Sequence, residues 1–305
     1  MSPHPALQEV FAPAFLRKLD RLHLAASRSL STRPGNTPMP GRTQSSGIEI
    51  ESHKPYDTGD DLRHVDWNAY GRFDEMLIKR FRAEREAPLH VFVDLSASMS
   101  FPGNDGKAGF AAALAASLAY ISLRNHDPVR VIGLSDSATH SHLASPWFRH
   151  RQSLAHVREF VGALQARGQT ALASGILEAL RQQHLSGVAV VISDFLVEPS
   201  VYERALGELT ARRLTVAAVR VLGPCERDPA REFTYAQVVD AESGAERTIS
   251  LTPDNQAAYQ QALESHLAAL RSYCERTGVL FSVADPAAGI DRCLFGDLPA
   301  AGLLR

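Results

Sequence analysis

The chain has 305 residues, 45% of them hydrophobic, so it can bury a sizeable core in one large or two small domains. Its 34 acidic and 32 basic residues give a formal net charge of -2, which gives no reason to expect general binding to nucleic acid or to membrane surfaces. Three widely spaced cysteines, with no CxxC pair, favour a reduced cytoplasm over a secreted disulfide scaffold.

The sequence carries no pattern that predicts export or membrane insertion. The first residues lack the charged stretch followed by an apolar stretch that a signal peptide has. The longest uncharged run, residues 108–123, is shorter than the roughly 20 residues that a membrane-spanning helix needs, and it is rich in alanine. We therefore expect a cytoplasmic protein in which this run is a buried core helix.

The N-terminal part of the chain is predicted to lie outside the main sheet. Residues 7–30 repeat apolar side chains at three and four positions, interrupted by Pro13, which predicts an N-terminal helix within residues 1–30. Residues 31–47 are rich in proline, glycine and serine and predict a linker. The linker leads into a densely charged segment, and we assign residues 31–87 to the linker and this segment together.

From residue 88 onwards, short apolar runs alternate with helical patterns. The predicted strands are residues 89–94, 129–134, 188–193, 214–221 and 279–283. The predicted helices are residues 107–124, 152–165, 172–184, 200–211 and 254–276. Near-continuous valine and isoleucine runs are typical of strands covered on both faces, so this order predicts an α/β fold with a doubly wound, mostly parallel, Rossmann-like sheet over residues 88–284. We expect a hairpin in an insertion at residues 224–252 and a C-terminal tail at residues 285–305.

Oxygen-bearing side chains follow two of the predicted strands. Asp94, Ser96 and Ser98 lie at the end of one strand and in the loop after it, within the run DLSAS. Asp194 ends a second strand, and Thr170 lies in a loop just before a helix. In an open α/β sheet, ligands bind beyond the carboxyl ends of the strands. If the two strands are neighbours, all five side chains meet at one rim of the sheet.

This set of carboxylates and hydroxyls suits a hard divalent cation. Mg²⁺ prefers octahedral oxygen coordination and keeps some of its waters, and Mn²⁺ and Ca²⁺ are further candidates. Because the set carries few formal charges, a bound ion would remain under-neutralised and would accept one more anionic oxygen from outside. The alternative is structural, since aspartate and serine after a strand often cap the next helix.

The arrangement resembles the metal-ion-dependent adhesion site (MIDAS) of von Willebrand factor A domains, which combines a strand-end DxSxS, a loop threonine and a second strand-end aspartate. The metal ligands that this resemblance implies are Asp94, Ser96, Ser98, Thr170 and Asp194. The resemblance also implies an antiparallel edge strand near residues 138–143. Domains of that family bind partners by letting a partner's aspartate or glutamate complete the metal shell, and they are generally not catalytic.

A second pattern lies in the charged segment. The run PYDTGDDLRHVDWNAYGR, followed by LIKRFRAERE and then VFVDLSASM, resembles the signature of the Domain of Unknown Function 58 (DUF58) family, over roughly residues 40–285. In that family a (R/K)-x-Y-x-x-GDD-x-R-x-(I/V)-DW segment precedes a von Willebrand-like domain. The matching positions are Tyr56, Gly59, Asp60, Asp61, Arg63, Asp66, Trp67, Arg72, Glu84 and Glu86. The chain departs from the usual pattern at Lys54, where arginine is more usual, and at Gly71, where we expect a different small residue.

The DUF58 resemblance implies a bacterial protein that works with MoxR-type AAA+ ATPases and other von Willebrand-domain proteins in assembling, activating or inserting metal into client proteins. Many members carry N-terminal membrane helices, and this chain resembles the short branch that does not. Together with the predicted metal ligands, the resemblance leads us to expect a non-catalytic, Mg²⁺-dependent interaction adaptor that binds an acidic residue of such a partner.

The alternative is an enzyme, a Mg²⁺-dependent phosphohydrolase in which Asp94 attacks phosphate, because haloacid-dehalogenase-type enzymes hold their nucleophile on a strand-end aspartate. Those enzymes usually carry a second aspartate two residues on, where this chain has Ser96. They also carry a lysine in a later loop, and the loops near residues 170 and 194 have none. No GxxxxGK[ST] motif is present, so we expect no ATP hydrolysis by this chain.

Overall fold

The fold is described by a computed structural model that covers residues 5–25, 50–58, 60, 62–81, 87–100, 106–136, 142–182, 185–229, 235–239, 246–250 and 252–305. The chain divides into two compact units. One unit comprises Met1–Ser27 and Glu86–Arg305 and contains the main sheet, and the other comprises Arg28–Arg85.

Ten strands lie within the described ranges, and six of them form the main sheet. The strands are β1 (Ile50–Pro55), β2 (Leu77–Phe81), β3 (Leu89–Asp94), β4 (Val129–Leu134), β5 (His142–Ala144), β6 (Val188–Ser193), β7 (Thr215–Val221), β8 (Tyr235–Val239), β9 (Glu246–Ser250) and β10 (Leu280–Ala284). The order in the main sheet is β10-β7-β6-β3-β4-β5, and every pairing is parallel except that of the edge strand β5 with β4. The predicted α/β fold with a mostly parallel sheet is confirmed.

The central strands have the composition that burial on both faces requires. β3 and β6 are buried along their whole length and read LHVFVD and VAVVIS, so apolar side chains point to both sides of the sheet. They are parallel neighbours, with Val93 opposite Ile192. The carboxyl ends of these two strands therefore lie next to each other at one edge of the sheet.

Helices cover both faces of the sheet. The helices of this unit are Pro5–Val10, Pro13–Leu19, Lys107–Arg124, Leu154–Ala163, Leu172–Gln182, Pro199–Ala211, Pro224–Arg227, Pro253–Thr277, Gly289–Arg292 and Leu298–Ala300. One face packs against the alanine-rich helix Lys107–Arg124, for example through Val91. The other face packs against helices from the second half of the chain, for example through Phe92. The sheet is thus the middle layer between two apolar clusters.

Within residues 5–25 the chain forms two short helices where the sequence predicted a single helix over residues 7–30, of which residues 26–30 lie outside the described residues. The break lies at Pro13, because a proline ring cannot continue the preceding helix, and the second helix begins there. Phe15 and Leu19 of the second helix are buried in the core cluster.

The last residues of the chain pack beside this N-terminal region. A π-helical turn, Cys293–Asp297, contributes buried side chains to the core. Further on, Leu304 forms an antiparallel bridge with Leu24, and the N–H of His23 donates to the carbonyl of Arg305 at 2.9 Å. The C-terminal tail is therefore docked on the unit that contains the main sheet.

The smaller unit contains β1 and β2 as an antiparallel pair. A 3-10 turn at Leu62–His64 and a helix at Trp67–Phe73 lie between them. The helix is capped by Asp66, whose Oδ1 accepts hydrogen bonds from the backbone N–H groups of Asn68 and Ala69 at 3.1 and 3.2 Å.

Three further expectations concern single elements. The edge strand β5 is antiparallel to β4 and covers His142–Ala144, and residues 138–141 of the predicted strand 138–143 lie outside the described residues. β8 and β9 form an antiparallel pair inside the insertion predicted at residues 224–252. Among the described helices, none combines the length and the apolar character needed to cross a membrane.

Candidate functional site

The two strand-end aspartates lie at the same edge of the sheet. Asp94 is the last residue of β3, and Asp194 directly follows β6, its parallel neighbour. Neighbouring strands are about 4.8 Å apart, so the two carboxyl groups share one rim. The sequence predicted that the site residues meet only if these two strands are neighbours in the sheet, and β3 and β6 are neighbours.

Asp94 is held by two hydrogen bonds in a buried position, with 1% of its surface exposed. The backbone N–H of Ser96 donates to Oδ1 at 2.9 Å, and the hydroxyl of Ser193 donates to Oδ2 at 2.6 Å. Burial and then the charge of Asp194 raise the pKa of Asp94 to about 6, and the serine hydrogen bonds oppose this rise. The two carboxylates repel each other, and a cation bound between them would relieve that repulsion.

The serines of the DLSAS run extend the row of oxygen atoms away from Asp94. Ser96 Oγ and Ser98 Oγ lie 2.9 Å apart, at the start of the 3-10 turn Ala97–Ser100. Ser96 is fully buried, whereas Ser98 is half-buried. The oxygens therefore run from a buried carboxylate to a partly accessible hydroxyl.

The loop that carries Thr170 adjoins this turn. The backbone N–H of Ala97 donates to the carbonyl of Gly168 at 2.9 Å. Gly168 has a φ of 86°, in the left-handed region, and an added Cβ would lie 3.1 Å from the carbonyl oxygen of Asp136. Thr170 is half-buried, two residues further on, just before the helix Leu172–Gln182. The loop reaches the same rim, and coordination of a metal by Thr170 stays a prediction.

Asp194 has a different set of partners from Asp94. Its Oδ1 accepts a hydrogen bond from the N–H of Leu196 at 3.1 Å, and its Oδ2 lies 3.4 Å from Lys107 Nζ. Its backbone carbonyl accepts a hydrogen bond from Arg220 Nε at 3.1 Å. Asp194 thus lies between the oxygen rim and two buried basic side chains.

The sequence did not predict Lys107 as a site residue. Its side chain is fully buried and forms ion pairs with both Asp194 and Glu226. The loops near residues 170 and 194 carry no lysine, as expected, but Lys107 reaches the site from the start of a helix, which the sequence reasoning did not consider. A cation in the first turn of a helix is disfavoured by the helix dipole, and this was the available signal in the sequence.

Ser193, Glu226 and Arg220 were also missed. Burial raises the pKa of Glu226 against the opposing charge of Lys107, and burial lowers the pKa of Arg220. Arg220 is fully buried, and its Nη1 and Nη2 have no hydrogen-bond partner among the described residues. A buried charged cluster therefore lies directly beneath the oxygen rim.

The donor atoms at the rim fit a hard divalent cation. The candidate ligands offer only carboxylate and hydroxyl oxygens, which suit Mg²⁺, Mn²⁺ or Ca²⁺. Within the described ranges, no group of three or more His, Cys, Asp or Glu side chains could hold a metal ion. Hydroxyls and water would have to complete the coordination of any ion bound here, and the binding itself stays a prediction.

The signature residues of the smaller unit form local contacts. Asp66 caps its helix through Oδ1, and its Oδ2 lies 2.9 Å from His53 Nε2. Asp60 lies 2.8 Å from Lys54 Nζ and accepts a hydrogen bond from the backbone N–H of Asp57 at 3.0 Å. Asp60 and Asp66 therefore stabilise the turn and the helix start in which they lie.

The remaining signature residues differ in how far the structure describes them. Tyr56 is half-buried, whereas Arg63, Trp67 and Arg72 are exposed. Four others, predicted from the family signature, lie outside the described residues: Gly59, Asp61, Glu84 and Glu86.

A protein-family comparison decides how this chain is classified. Residues 52–269, well over half of the chain, match the family model described as "Protein of unknown function DUF58". The chain belongs to the DUF58 family. The family resemblance predicted from the charged segment and the DLSAS run is thereby confirmed.

Relatives of this DUF58 chain occur in mycobacteria. The uncharacterized protein Rv1480 of Mycobacterium tuberculosis is 29% identical over 228 residues, which cover 73% of this chain and 69% of the relative. The uncharacterized protein Mb1516 of Mycobacterium bovis gives the same values.

Two solved structures that match the DUF58 chain do so at low sequence identity. The conserved hypothetical protein BatB from Bacteroides thetaiotaomicron is 14% identical with a TM-score of 0.34, covering 62% of this chain and 99% of that chain. An aerotolerance-related membrane protein from Bacteroides fragilis is 13% identical with a TM-score of 0.39, covering 70% of this chain and 99% of that chain. Similarity this low carries no conclusion about function.

Proposed function

We propose that this DUF58 protein is a non-catalytic, Mg²⁺-dependent interaction adaptor with a MIDAS of the von Willebrand factor A type. The observation that carries the proposal is the pair of carboxylates, Asp94 and Asp194, at one rim with the hydroxyls of Ser96 and Ser98. In the proposed complex the ion binds these residues and Thr170, and a carboxylate of a partner protein completes its coordination.

The electrostatics of Asp94 support a cation at this position. Its pKa is raised to about 6 by burial and by the neighbouring Asp194. A buried carboxylate is stabilised by a cation more than an exposed one, because the surrounding medium screens the attraction less. The ion would therefore bind beside two poorly solvated acids, of which Asp94 is held only by serine hydrogen bonds while Asp194 is also paired with Lys107.

We further propose that the partner is a MoxR-type AAA+ ATPase or another von Willebrand-domain protein. It binds in the cytoplasm, and one of its acidic residues contacts the metal. All three cysteines, Cys225, Cys274 and Cys293, are buried and form no disulfide bond with one another, which suits a reducing compartment. Assembly or activation of client proteins is the role that this partner class implies.

A phosphohydrolase is the second candidate, and Lys107 is the observation that favours it, because such enzymes need a lysine near the strand-end acids. Against it, Ser96 occupies the position where such enzymes usually carry their second aspartate, and Lys107 comes from a helix start, not from a later loop. Turnover of p-nitrophenyl phosphate with Mg²⁺ that disappears in Asp94→Asn would establish the enzyme and remove the adaptor.

The adaptor proposal is tested by metal binding and partner capture on the same variants. Calorimetry should detect Mg²⁺ binding to the wild type and to Asp136→Ala, and none to Asp94→Ala. Asp136 is an exposed acid in the adjoining loop, so it serves as the control. A pull-down with the MoxR-type ATPase should follow the same pattern and fail in EDTA. Partner capture that is equal with and without EDTA would contradict the proposal.

A further inference from the structure

Three members of the charged cluster beneath the oxygen rim, Lys107, Glu226 and Arg220, are not ligands of the proposed metal site. Lys107 Nζ lies 3.4 Å from Asp194 Oδ2 and donates a hydrogen bond to Glu226 Oε1. The Lys107 side chain is fully buried, so its ammonium does not meet a partner directly. Its charge can act only on the groups around it.

Glu226 is the second carboxylate that contacts the ammonium of Lys107. Its Oε2 accepts a hydrogen bond from the backbone N–H of Gly223 at 3.2 Å. Its backbone carbonyl accepts a hydrogen bond from the hydroxyl of Tyr259 at 2.6 Å. Because Glu226 is fixed by its short helix Pro224–Arg227 and by the following long helix, the ammonium is shared between two anchored carboxylates.

The position of Lys107 is costly for its own helix. It is the first residue of the helix Lys107–Arg124, where the helix dipole disfavours a positive charge. Burial of an ammonium adds a desolvation cost that only close carboxylates offset. A residue that is unfavourable for both reasons indicates a role in the site beside it.

The formal charges of the cluster show what that role is. Three buried or nearly buried carboxylates, Asp94, Asp194 and Glu226, lie with two basic groups, Lys107 and Arg220. The net formal charge is -1 when all are ionised. A divalent cation changes this to +1, and one carboxylate from a partner then brings the cluster to zero.

We propose that Lys107 sets the balance between the two binding steps of the site: it weakens binding of the divalent cation and strengthens capture of a partner carboxylate by the metal-loaded protein. This inference rests on the proposed adaptor function. Without Lys107, the cluster would have no net charge once the ion had bound. The partner carboxylate would then not be attracted by the net charge of the cluster.

The mechanism is Coulombic and acts through Asp194. The ammonium of Lys107 and the incoming ion compete for the carboxylate of Asp194. The interaction energy of charges a few ångström apart is several-fold larger in a partly buried site than in water. The unpaired Nη groups of Arg220 add positive charge that no described residue neutralises by a hydrogen bond. The ion therefore binds less tightly than two free carboxylates would allow, and the loaded site is left cationic.

The experiment compares Lys107→Met, Glu226→Gln and the double variant with the wild type. Mg²⁺ affinity is measured by calorimetry, and capture of a carboxylate by the Mn²⁺-loaded protein is measured by water-proton relaxation with N-acetyl-glutamyl amide. N-acetyl-glutaminyl amide is the uncharged control ligand. The double variant removes one charge of each sign, so it keeps the net charge of the cluster. Because residue 226 is then a neutral glutamine, no carboxylate is left there without the ammonium of Lys107.

The proposal expects effects of opposite sign in the two measurements. Lys107→Met should bind Mg²⁺ at least about tenfold more tightly and the glutamyl probe at least about tenfold more weakly. Glu226→Gln should do the reverse, and the double variant should stay within about threefold of the wild type in both. If Lys107→Met does not fold, Glu226→Gln and the double variant carry the test.

Two other results would overturn the proposal at different levels. If every variant weakens both binding steps together, the cluster is structural only, while the adaptor function stands. If the wild type binds neither Mg²⁺ nor Mn²⁺, the proposed adaptor function fails, and the inference about Lys107 fails with it.

Discussion

Replacing Asp94 by asparagine should make the metal-free protein more stable at neutral pH. The buried carboxyl has its pKa raised from 3.8 to about 6 by burial and by Asp194. A raised pKa in the folded state means that the group favours folding below pH 3.8 and loses this contribution as the pH rises through about 6. Ionised Asp94 should therefore cost about 3 kcal/mol at pH 7.5, taking 1.36 kcal/mol for each pKa unit.

Asparagine is neutral and has nearly the same shape, so it removes the charge without leaving a cavity. Its Oδ1 can still accept the hydrogen bond from the N–H of Ser96, whereas its amide nitrogen replaces the oxygen that accepts from the hydroxyl of Ser193. The altered hydrogen bond costs about 1 kcal/mol. The net expectation for Asp94→Asn in EDTA is a gain of about 2 kcal/mol in the free energy of unfolding.

Urea unfolding followed by circular dichroism measures this difference. The gain should shrink as the pH is lowered and should be gone near pH 4, because Asp94 is then protonated in the folded protein and only partly ionised in the unfolded chain, where its pKa is 3.8. Asp136→Asn, at an exposed position in the adjoining loop, should change the stability by less than about 0.5 kcal/mol. With Mg²⁺ at a hundredfold excess over its Kd, the wild type should gain about 2.7 kcal/mol and Asp94→Asn nothing. A variant that is less stable than the wild type at pH 7.5 in EDTA would refute the electrostatic reasoning.

Three other predictions concern pH and the smaller unit. The Mg²⁺ affinity of the wild type should fall about tenfold between pH 7 and pH 5, because the ion needs ionised Asp94 and the pKa of Asp94 is about 6. An affinity that calorimetry finds independent of pH would exclude Asp94 as a metal ligand. His90 is buried and its pKa is lowered to about 4, so below pH 6.5 the unfolded chain binds a proton at His90 before the folded protein does, and the wild type loses about 2 kcal/mol of stability between pH 7 and pH 5. His90→Gln should remove this loss. A urea midpoint that depends on pH equally in the variant and the wild type would contradict the prediction. Asp66→Ala should lose a helix cap worth about 1 kcal/mol, seen as faster hydrogen exchange at Asn68 and Ala69, with exchange in the main sheet unaffected.

Local patterns in the sequence were sufficient for the elements and for part of the site. Buried strands rich in valine and isoleucine, interrupted by helices, predicted the mostly parallel sheet, and polar residues at the strand ends marked Asp94 and Asp194 as site candidates. These signals are short-range, because the spacing of apolar residues within a segment indicates whether that segment forms a strand or a helix. The N-terminal helix was predicted as one element because the apolar spacing continues on both sides of Pro13, although the proline itself is a local signal for the break.

The tertiary structure decided which of the polar residues meet. The adjacency of β3 and β6, which brings the two aspartates to one rim, depends on the strand order and not on either strand's composition. Lys107 and Glu226 are 119 positions apart in the chain, and neither has a local pattern that points to the other. Charges interact through space, so the residues that set the electrostatics of the site became visible only when the fold had placed a helix start, a strand end and a short helix around one point.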